Sequence, residues 1–437
     1  MRRRKNALPA IAVLLLSLAP PTGRAEAAPS EEALGRERKE AIVRCVASEF
    51  REKYLFADVA DTMAALIEGN LAGGAYDAIA GLEPFAARLQ EDMRSVSHDR
   101  HVKVLAGVVP EFDDDPVMLR RENYGFTAVE VLPGNIGYLD FFQFYRVRDA
   151  GPTAIAAMNF LSGCDALIID LRSNGGGYPE LRSLICSYFF DQPACLMEFR
   201  GRDGVTQDWT LPYVPGRRMP KVPIYLLIGR PTFSCAEDFA FCLQNLGRAT
   251  VIGEKTRGGA HDAKLWTFPA ENISLQIPFN EAVDPLTKKT WEGVGIKPDI
   301  PVPAGQAFQV AVREATQALL KTEGNNGRRF LLEWILQDCK AQLEPMPVGE
   351  KALRAYAGRY GSCRVALERD QLILHFDERN SLRLLPVAAD DFKMLSGERH
   401  DYASNRVLFT RDKAGRVNGL QIHNHDGARF PVRERDQ

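Results

Sequence analysis

A serine lies where a short apolar strand is expected to turn into a helix. Residues 224–228 form an uninterrupted apolar run, and Ser234 follows it after a polar turn that contains a glycine and a proline. The next residues place apolar side chains at helical spacing: Phe239, Cys242, Leu243 and Leu246. A serine at this position ordinarily caps its helix. With a base beside it, Ser234 would instead be a nucleophile, and the N–H of Cys235 would stabilise an oxyanion.

A run of three glycines follows a second apolar strand in the same way. Residues 166–171, apolar except for Asp170, precede Gly175, Gly176 and Gly177, and Pro179 then opens a helix. Adjacent glycines cost chain entropy, and that cost is explained if bare main-chain N–H groups must face an anion. A tight turn packed against a neighbouring loop would explain them as well. A phosphate loop is not supported, because no GxxxxGK[ST] pattern is present.

Three histidines are candidates for the base that a nucleophilic serine requires. His98 and His101 lie in one short segment, and His261 lies in the segment GGAH, on the loop expected after the strand 250–253. An orienting carboxylate could come from Glu292, which precedes two glycines and an X-Pro turn. Each of these side chains could equally be a solvated surface group, so their types alone leave the choice of base open.

The scaffold that must position these residues is of the α/β class. Buried apolar strands alternate with helices over residues 111–310 and predict a core with a largely parallel sheet. Residues 28–110 have helical spacing and predict a helical cap domain. A helical stretch over residues 307–339 is expected to join the core to the C-terminal domain, and we therefore assign residues 311–343 as a helical linker. Residues 344–437 contain short alternating strands with hairpin turns, which predict a small β-sheet or barrel-like domain.

The composition indicates a folded, exported protein. The chain has 437 residues, of which 45% are hydrophobic, and this excludes disorder as its main property. A basic cluster, a short apolar run and a small-residue cleavage site predict a signal peptide over residues 1–27, cut before Ala28, and hence a periplasmic or secreted protein. No run is long enough to span a membrane. Losing five basic residues and one acidic residue with the signal shifts the formal charge from −2 to −6, which argues against a nucleic-acid partner.

The eight cysteines show no metal-ligand spacing, so no metal site is predicted. Disulfides are permitted in an oxidising compartment without being required by a core of this size. Cys235 and Cys242 would lie about 10 Å apart along one helix, beyond disulfide reach, and should not bond to each other.

Four strings occur in a fixed order along the chain: DLRSNGGG after one buried strand, TFSCAE after the next, GEKTRGG after a third, and EGVGIKPDI. In this order and spacing they resemble the tail-specific, or C-terminal processing, serine protease family over about residues 40–310. The resemblance implies a crotonase-like core and serine peptidase activity without a metal or organic cofactor. Only about 35 residues separate His101 from the strand near Gly137, too few for the inserted PDZ module of bacterial members.

The resemblance also implies roles for individual residues. Ser234 would be the nucleophile, and the N–H groups of Gly175 or Gly176, together with Cys235, would form the oxyanion hole. One branch of the family uses a lysine as base, but Gly259 holds that position here.

The helical leader, with its segment VSHDRHVKV, is similar to that of the other branch, which includes the tricorn core and interphotoreceptor retinoid-binding protein. The resemblance implies that the base of tricorn-like enzymes corresponds to His101 in this sequence, and that their orienting carboxylate corresponds to Glu292. His98 is the alternative base, and His261 a further one.

These roles predict an endopeptidase that cleaves a peptide or an unfolded protein through an acyl-enzyme. His101 would remove the Ser234 proton and Glu292 would hold the imidazole. Cys235 as the nucleophile is a minor alternative. The rival function is a non-catalytic binder of an apolar ligand or peptide, because the retinoid-binding relatives imply that this fold can hold apolar molecules.

Overall fold

The computed structural model describes residues 34–109, 115–395, 397 and 403–436. The predicted signal peptide and its cleavage site lie outside these residues. Within the described part of the chain, no helix is long and apolar enough to cross a membrane.

Three helices form the N-terminal part, as predicted: α1 (Arg36–Lys53), α2 (Ala57–Ala72) and α3 (Leu82–Ser97). Their apolar stripes face each other and form one buried cluster with the strand that follows, β1 (Lys103–Ala106). Helix α3 ends because His98 adopts a left-handed backbone with φ 54°, and its N–H closes the last turn on Arg94. The chain then leads directly through Asp99 and His101 into β1.

The central region alternates strands and helices. In chain order its elements are α4 (Pro116–Arg121), β2 (Phe126–Leu132), β3 (Ile136–Phe141), α5 (Val147–Leu161), β4 (Ala166–Asp170), α6 (Pro179–Cys186), β5 (Cys195–Gly201), β6 (Gly204–Trp209), β7 (Ile224–Ile228), α7 (Cys235–Asn245), β8 (Thr250–Gly253), β9 (His261–Phe268), β10 (Ile273–Val283) and β11 (Ile300–Pro301).

Six of these strands form the predicted, largely parallel sheet. Its order is β11-β8-β7-β4-β3-β2, and only the β2–β3 pair is antiparallel. Every residue of β4 and β7 is buried, as expected for strands covered on both faces. Because these two strands are parallel neighbours, their carboxyl ends meet, and the glycine loop and the Ser234 turn leave the sheet side by side.

A second sheet was not predicted from the sequence. It is antiparallel, with the order β1-β10-β5-β6 and with β9 paired to β10. The assignment of His261 to a loop was therefore wrong, because this residue begins β9 and is paired opposite Glu281. The second sheet joins the helical region to the core, since β1 belongs to it.

The helical stretch predicted over residues 307–339 is two helices, α8 (Ala304–Leu320) and α9 (Asn326–Leu343). The break contains Gly324, and the side chain of Asn325 caps α9 by accepting a hydrogen bond from the Arg328 N–H. Both helices contribute to an apolar cluster on one face of the six-stranded sheet.

The C-terminal region is β-rich, as predicted. A short helix α10 (Glu350–Arg354) precedes eight antiparallel strands: β12 (Gly358–Tyr360), β13 (Cys363–Glu368), β14 (Gln371–His375), β15 (Ser381–Ala388), β16 (Asp391–Leu395), β17 (Arg406–Arg411), β18 (Val417–His423) and β19 (Arg433–Glu434). Each strand pairs with the next one along the chain. A bridge between Tyr360 and Arg435 joins the first strand to the end of the last and closes the sheet into a barrel.

All eight cysteines are free thiols. The absence of a bond between Cys235 and Cys242 agrees with the prediction from helical spacing. The nearest described pair is Cys186 and Cys242, whose sulfur atoms lie 4.0 Å apart in the core between α6 and α7.

Candidate active site

Ser234 occupies a strained turn between β7 and α7. Its φ of 53° and ψ of −124° lie in a region that non-glycine residues rarely occupy. An ordinary N-cap serine has an extended backbone, so capping alone does not account for this conformation. Strain of this kind costs about 1–3 kcal/mol and concentrates at functional sites. The turn has the character of a strand-to-helix elbow that exposes a nucleophile.

The glycine loop packs directly against this elbow. A Cβ on Gly176, whose φ is +102°, would lie 2.9 Å from the Ser234 Cβ and 2.7 Å from the Phe233 carbonyl oxygen. The Phe233 N–H also donates to the Asn174 carbonyl at 3.2 Å, which ties the two turns together. The two loops singled out in the sequence therefore form one structural unit.

The N–H groups assigned to the oxyanion hole are partly occupied by other bonds. Gly175 donates to the Phe142 carbonyl at 3.1 Å, and Gly176 donates to the Asn174 side-chain oxygen at 2.9 Å. Among the described hydrogen bonds, the N–H groups of Gly177 and Cys235 have no acceptor. Gly177 also lines the cleft that contains Ser234. The glycine N–H available to an oxyanion is thus one residue later than predicted.

Glu237 holds the elbow in place from the first turn of α7. Its buried carboxylate accepts N–H groups from Ser234 at 2.9 Å, Gly258 at 2.8 Å and Gly259 at 3.0 Å. Burial raises the pKa of this carboxyl group. The side chain therefore joins the nucleophile turn to the loop that leads into β9.

His261 carries the hydrogen bond expected of a general base. Its Nδ1 lies 2.7 Å from Oδ2 of Asp99, a buried carboxylate that also accepts the Tyr54 hydroxyl at 3.2 Å. The Nε2 atom is buried without a partner in the described structure. Burial lowers the pKa of His261, but the bond to Asp99 outweighs it, and the net pKa is raised.

Asp99 was not singled out from the sequence. Its position between His98 and His101 in the printed sequence was the available signal, because a carboxylate near a candidate base is the expected orienting group.

His101 also faces the cleft but is held differently. Its ring stacks on that of Phe233, the residue before the serine, with centroids 5.0 Å apart. Neither ring nitrogen has a hydrogen-bond partner among the residues that the structure describes, and Nδ1 lies 3.7 Å from Oδ1 of Asp99. Burial lowers the pKa of His101 to about 4. Asp99 thus lies between the two imidazoles, bonded to the ring of His261 and to the main-chain N–H of His101 at 2.8 Å.

Glu292 does not hold His101, contrary to the predicted arrangement. Its carboxylate accepts the Ala260 N–H at 2.5 Å and lies 3.9 Å from Nδ1 of His261. The reason is that residue 292 approaches from the side of the β9 strand, where His261 lies. One ligand atom each from Asp99, His261 and Glu292 fall within 4.8 Å of one another, so these three side chains could also hold a cation.

Three alternatives from the sequence can be compared with the geometry. The His98 side chain is exposed at the end of α3 and does not line the cleft. A lysine at position 259 could not fit, because a Cβ on Gly259 would lie 2.4 Å from the Phe233 ring and 2.9 Å from Cε1 of His101. Cys235 is buried, and burial raises the pKa of its thiol well above the usual range, so a reactive thiolate is disfavoured.

A cleft of about 840 Å³ brings the candidate residues together. Ser234, His101, His261 and Gly177 all line it. Its remaining lining is mixed, with the charged Arg146, Glu180, Asp262 and Lys264 beside apolar residues such as Leu265 and Phe279. The four segments that carry Ser234, the glycine loop, His101 and His261 therefore converge on one open site.

Comparison with known families agrees with this arrangement. Residues 135–302 match the model described as Peptidase family S41, and residues 34–124 match the N-terminal domain of Peptidase_S41 in eukaryotic IRBP. Together the matches span more than half of the chain. This chain belongs to peptidase family S41. The match of the leader supports the predicted similarity to the retinoid-binding branch.

Individual relatives are distant. The carboxyl-terminal-processing protease of a Picosynechococcus species is 28% identical over 170 residues, which are 38% of this chain and 39% of that relative. The chain thus spans about two fifths of that relative's length. A lipoprotein from Streptococcus agalactiae has a TM-score of 0.47 and 16% identity, covering 69% of this chain and all of the other. The tricorn protease has a TM-score of 0.41 and 13% identity, and the alignment covers 61% of this chain and 34% of the tricorn chain.

Proposed function

We propose that this S41 family member is a serine endopeptidase that hydrolyses peptide bonds through an acyl-enzyme on Ser234. The observation that carries the proposal is the strained elbow at Ser234, which faces the same cleft as two buried imidazoles. A merely capping serine would need neither the strain nor these neighbours. We further propose a crotonase-like core, and export directed by residues 1–27.

In the proposed reaction, the Ser234 hydroxyl loses its proton to an imidazole and attacks the substrate carbonyl. The resulting oxyanion accepts hydrogen bonds from the N–H groups of Gly177 and Cys235, which have no acceptor in the described structure. Each donor contributes about 3 kcal/mol to lowering the barrier. The imidazolium then protonates the leaving amine, and water activated by the same imidazole hydrolyses the acyl-enzyme.

Two imidazoles compete for the role of base, and the hydrogen bonds favour His261. A triad histidine needs a carboxylate on Nδ1 and a free Nε2, and His261 has both. Its raised pKa also makes it the stronger base, whereas His101 binds a proton weakly. We therefore assign the base to His261 and the orienting carboxylate to Asp99. His101, predicted from the family resemblance, is the competing assignment.

The rival function, a binder of apolar ligands, fits the cleft less well. Pockets for such ligands are lined mainly by hydrophobic and aromatic side chains. The cleft here is mixed: Arg146, Glu180, Asp262 and Lys264 surround the histidines and Ser234 together with apolar residues such as Leu265 and Phe279. A peptide, with its polar main chain, matches this lining better.

The proposal is tested by hydrolysis of unstructured peptides by the purified protein. Ser234→Ala should lower kcat/KM on the order of 10⁴-fold or more, and His261→Ala should cause a comparable loss. His98→Ala is the matched control and should leave activity unchanged. Loss of activity in His101→Ala with full activity in His261→Ala would move the base to His101. No hydrolysis by the wild-type protein, combined with tight uptake of a lipid, would favour the binder.

A further inference from the structure

Strand β9 lies at the border of the second sheet with one edge unpaired. It pairs with β10 along one side, and within the described ranges no strand pairs with the other. Its first residue is His261, the proposed base. A free row of main-chain N–H and C=O groups therefore begins at the catalytic site.

This free edge faces the cleft. After His261, four further consecutive residues of β9 line it: Asp262, Ala263, Lys264 and Leu265. Side chains of a strand alternate between the two faces of a sheet, so consecutive residues cannot all reach one space through a single face. They line the cleft together because it opens along the free edge of β9, and it continues over the adjoining face, where Gln276 and Phe279 of β10 also line it.

The register identifies which main-chain groups point outward. Ala263 is paired with Pro278, which has no N–H to donate and whose carbonyl accepts the Leu55 N–H at 3.1 Å. Ala263 and Pro278 are therefore not a hydrogen-bonded pair. Because the two kinds of pair alternate along an antiparallel ladder, Ala263, Leu265 and Thr267 direct their N–H and C=O groups away from β10.

We infer that β9 binds the substrate as an added β-strand, so that the partner is an extended stretch of polypeptide with free main-chain amides. This inference rests on the proposed function and specifies its substrate. Four lining residues correspond to about 13 Å of strand, enough to align about four substrate residues. Main-chain pairing supplies affinity with little sequence preference, and Asp262 and Lys264 add side-chain selection on alternate positions. A folded segment could not pair with this edge.

Substrate amides test the inference directly. A fluorescent peptide is bound to the inactive Ser234→Ala variant, and each of its main-chain nitrogens is methylated in turn. Strand addition predicts that the Kd rises about 10-fold or more at every second position and changes little between them. A loss of affinity that is the same at every position, or that depends on the identity of the peptide side chains, would overturn the inference.

Proline substitutions test the same edge from the protein side. Ala263→Pro removes an outward N–H that lines the cleft and should raise KM about 10-fold. Thr267→Pro is the matched control, because its N–H points the same way from the same strand but lies outside the cleft. Equal KM changes in the two variants would contradict strand addition. Unchanged Tm and unchanged labelling of Ser234 by a serine-directed phosphonate show that both variants are folded.

The outcomes separate this inference from the proposed function. If the wild-type protein hydrolyses no peptide and Ser234 does not react, the peptidase proposal fails, while an alternating binding pattern would still establish strand addition. If hydrolysis is normal without that pattern, only strand addition fails.

Discussion

At the scale of single residues, Asp99 makes the two cleft imidazoles different from each other. It bonds the ring of His261 at 2.7 Å and only approaches that of His101, at 3.7 Å. The pKa of His261 is therefore raised above its ordinary 6.5, whereas burial lowers that of His101 to about 4. A general base acts in its neutral form, so the pH at which activity is lost on acidification identifies the imidazole.

The first prediction concerns the acid limb of the pH profile, which is the range of low pH over which kcat/KM falls. With His261 as base, kcat/KM should fall as the pH drops through a value above 6.5, because the imidazole becomes protonated. Asp99→Asn removes the charge that favours the imidazolium, so the limb should move to lower pH while the plateau falls by about 10²-fold or more. The measurement is the pH profile of kcat/KM for both proteins. A wild-type limb near pH 4 would identify His101 instead.

At the scale of elements, the site depends on close contact between two strand-to-helix turns. Gly176 lies against the elbow of Ser234, and Glu237 fixes that elbow to residues 258–259. The neighbouring glycine is in a different position, because a Cβ on Gly175 would meet only the Gln143 side chain, at 3.7 Å. Position 176 therefore has no space for a side chain, whereas position 175 does.

The second prediction follows from this contrast. Gly176→Ala should lower the free energy of unfolding by about 2 kcal/mol and abolish most activity, because its φ of +102° disfavours a side chain and the Cβ would press on Phe233 and Cys235. Gly175→Ala should be tolerated in both respects, since it keeps its N–H and has space. Urea unfolding and peptide hydrolysis check the pair. Equal tolerance of both substitutions would show that the turns are not in contact.

At the scale of the whole molecule, a buried ionic network joins the barrel to α9. Asp338 of α9 contacts Lys393 at 3.0 Å and Arg406 at 2.9 Å, and all three side chains are almost fully buried. The Arg406 guanidinium lies 3.9 Å from the centre of the Trp334 ring. Because α9 also packs with the six-stranded sheet, this network connects the barrel to the α/β core.

The third prediction is that Asp338→Ala destabilises the protein by about 3–5 kcal/mol, because two cations lose their buried partner. Glu350→Ala is the control: it removes an exposed pair with Arg354 and should cost about 1 kcal/mol or less. Denaturant unfolding followed by tryptophan fluorescence reports on Trp334 within the network. A similar loss in both variants would mean that the network does not hold the barrel in place.

The sequence predicted the elements whose patterns are local. The runs of β4 and β7, apolar except for Asp170, identified the parallel sheet, and the helical spacing of residues 36–97 identified the N-terminal helices. The second sheet was missed because its strands lack such patterns. Most of β6 is exposed, and β9 begins with His261, which was assigned to a loop after two glycines.

Only the parts of the site that lie within sequence motifs, the Ser234 elbow and the glycine loop, could be predicted. The elbow and the glycine loop lie together because β4 and β7 are parallel neighbours. The partners of Gly176 and Glu292 could not be predicted, because they depend on the Asn174 side chain and on the path of the chain into β9. Such contacts arise from tertiary packing and leave no spacing in the sequence.

The most direct test of the account is covalent labelling of the intact protein by a serine-directed phosphonate, with the modified residue mapped by mass spectrometry. The account predicts one adduct, on Ser234, that is absent from Ser234→Ala and forms much more slowly in His261→Ala. An unlabelled Ser234 in a protein that binds peptides normally would contradict it.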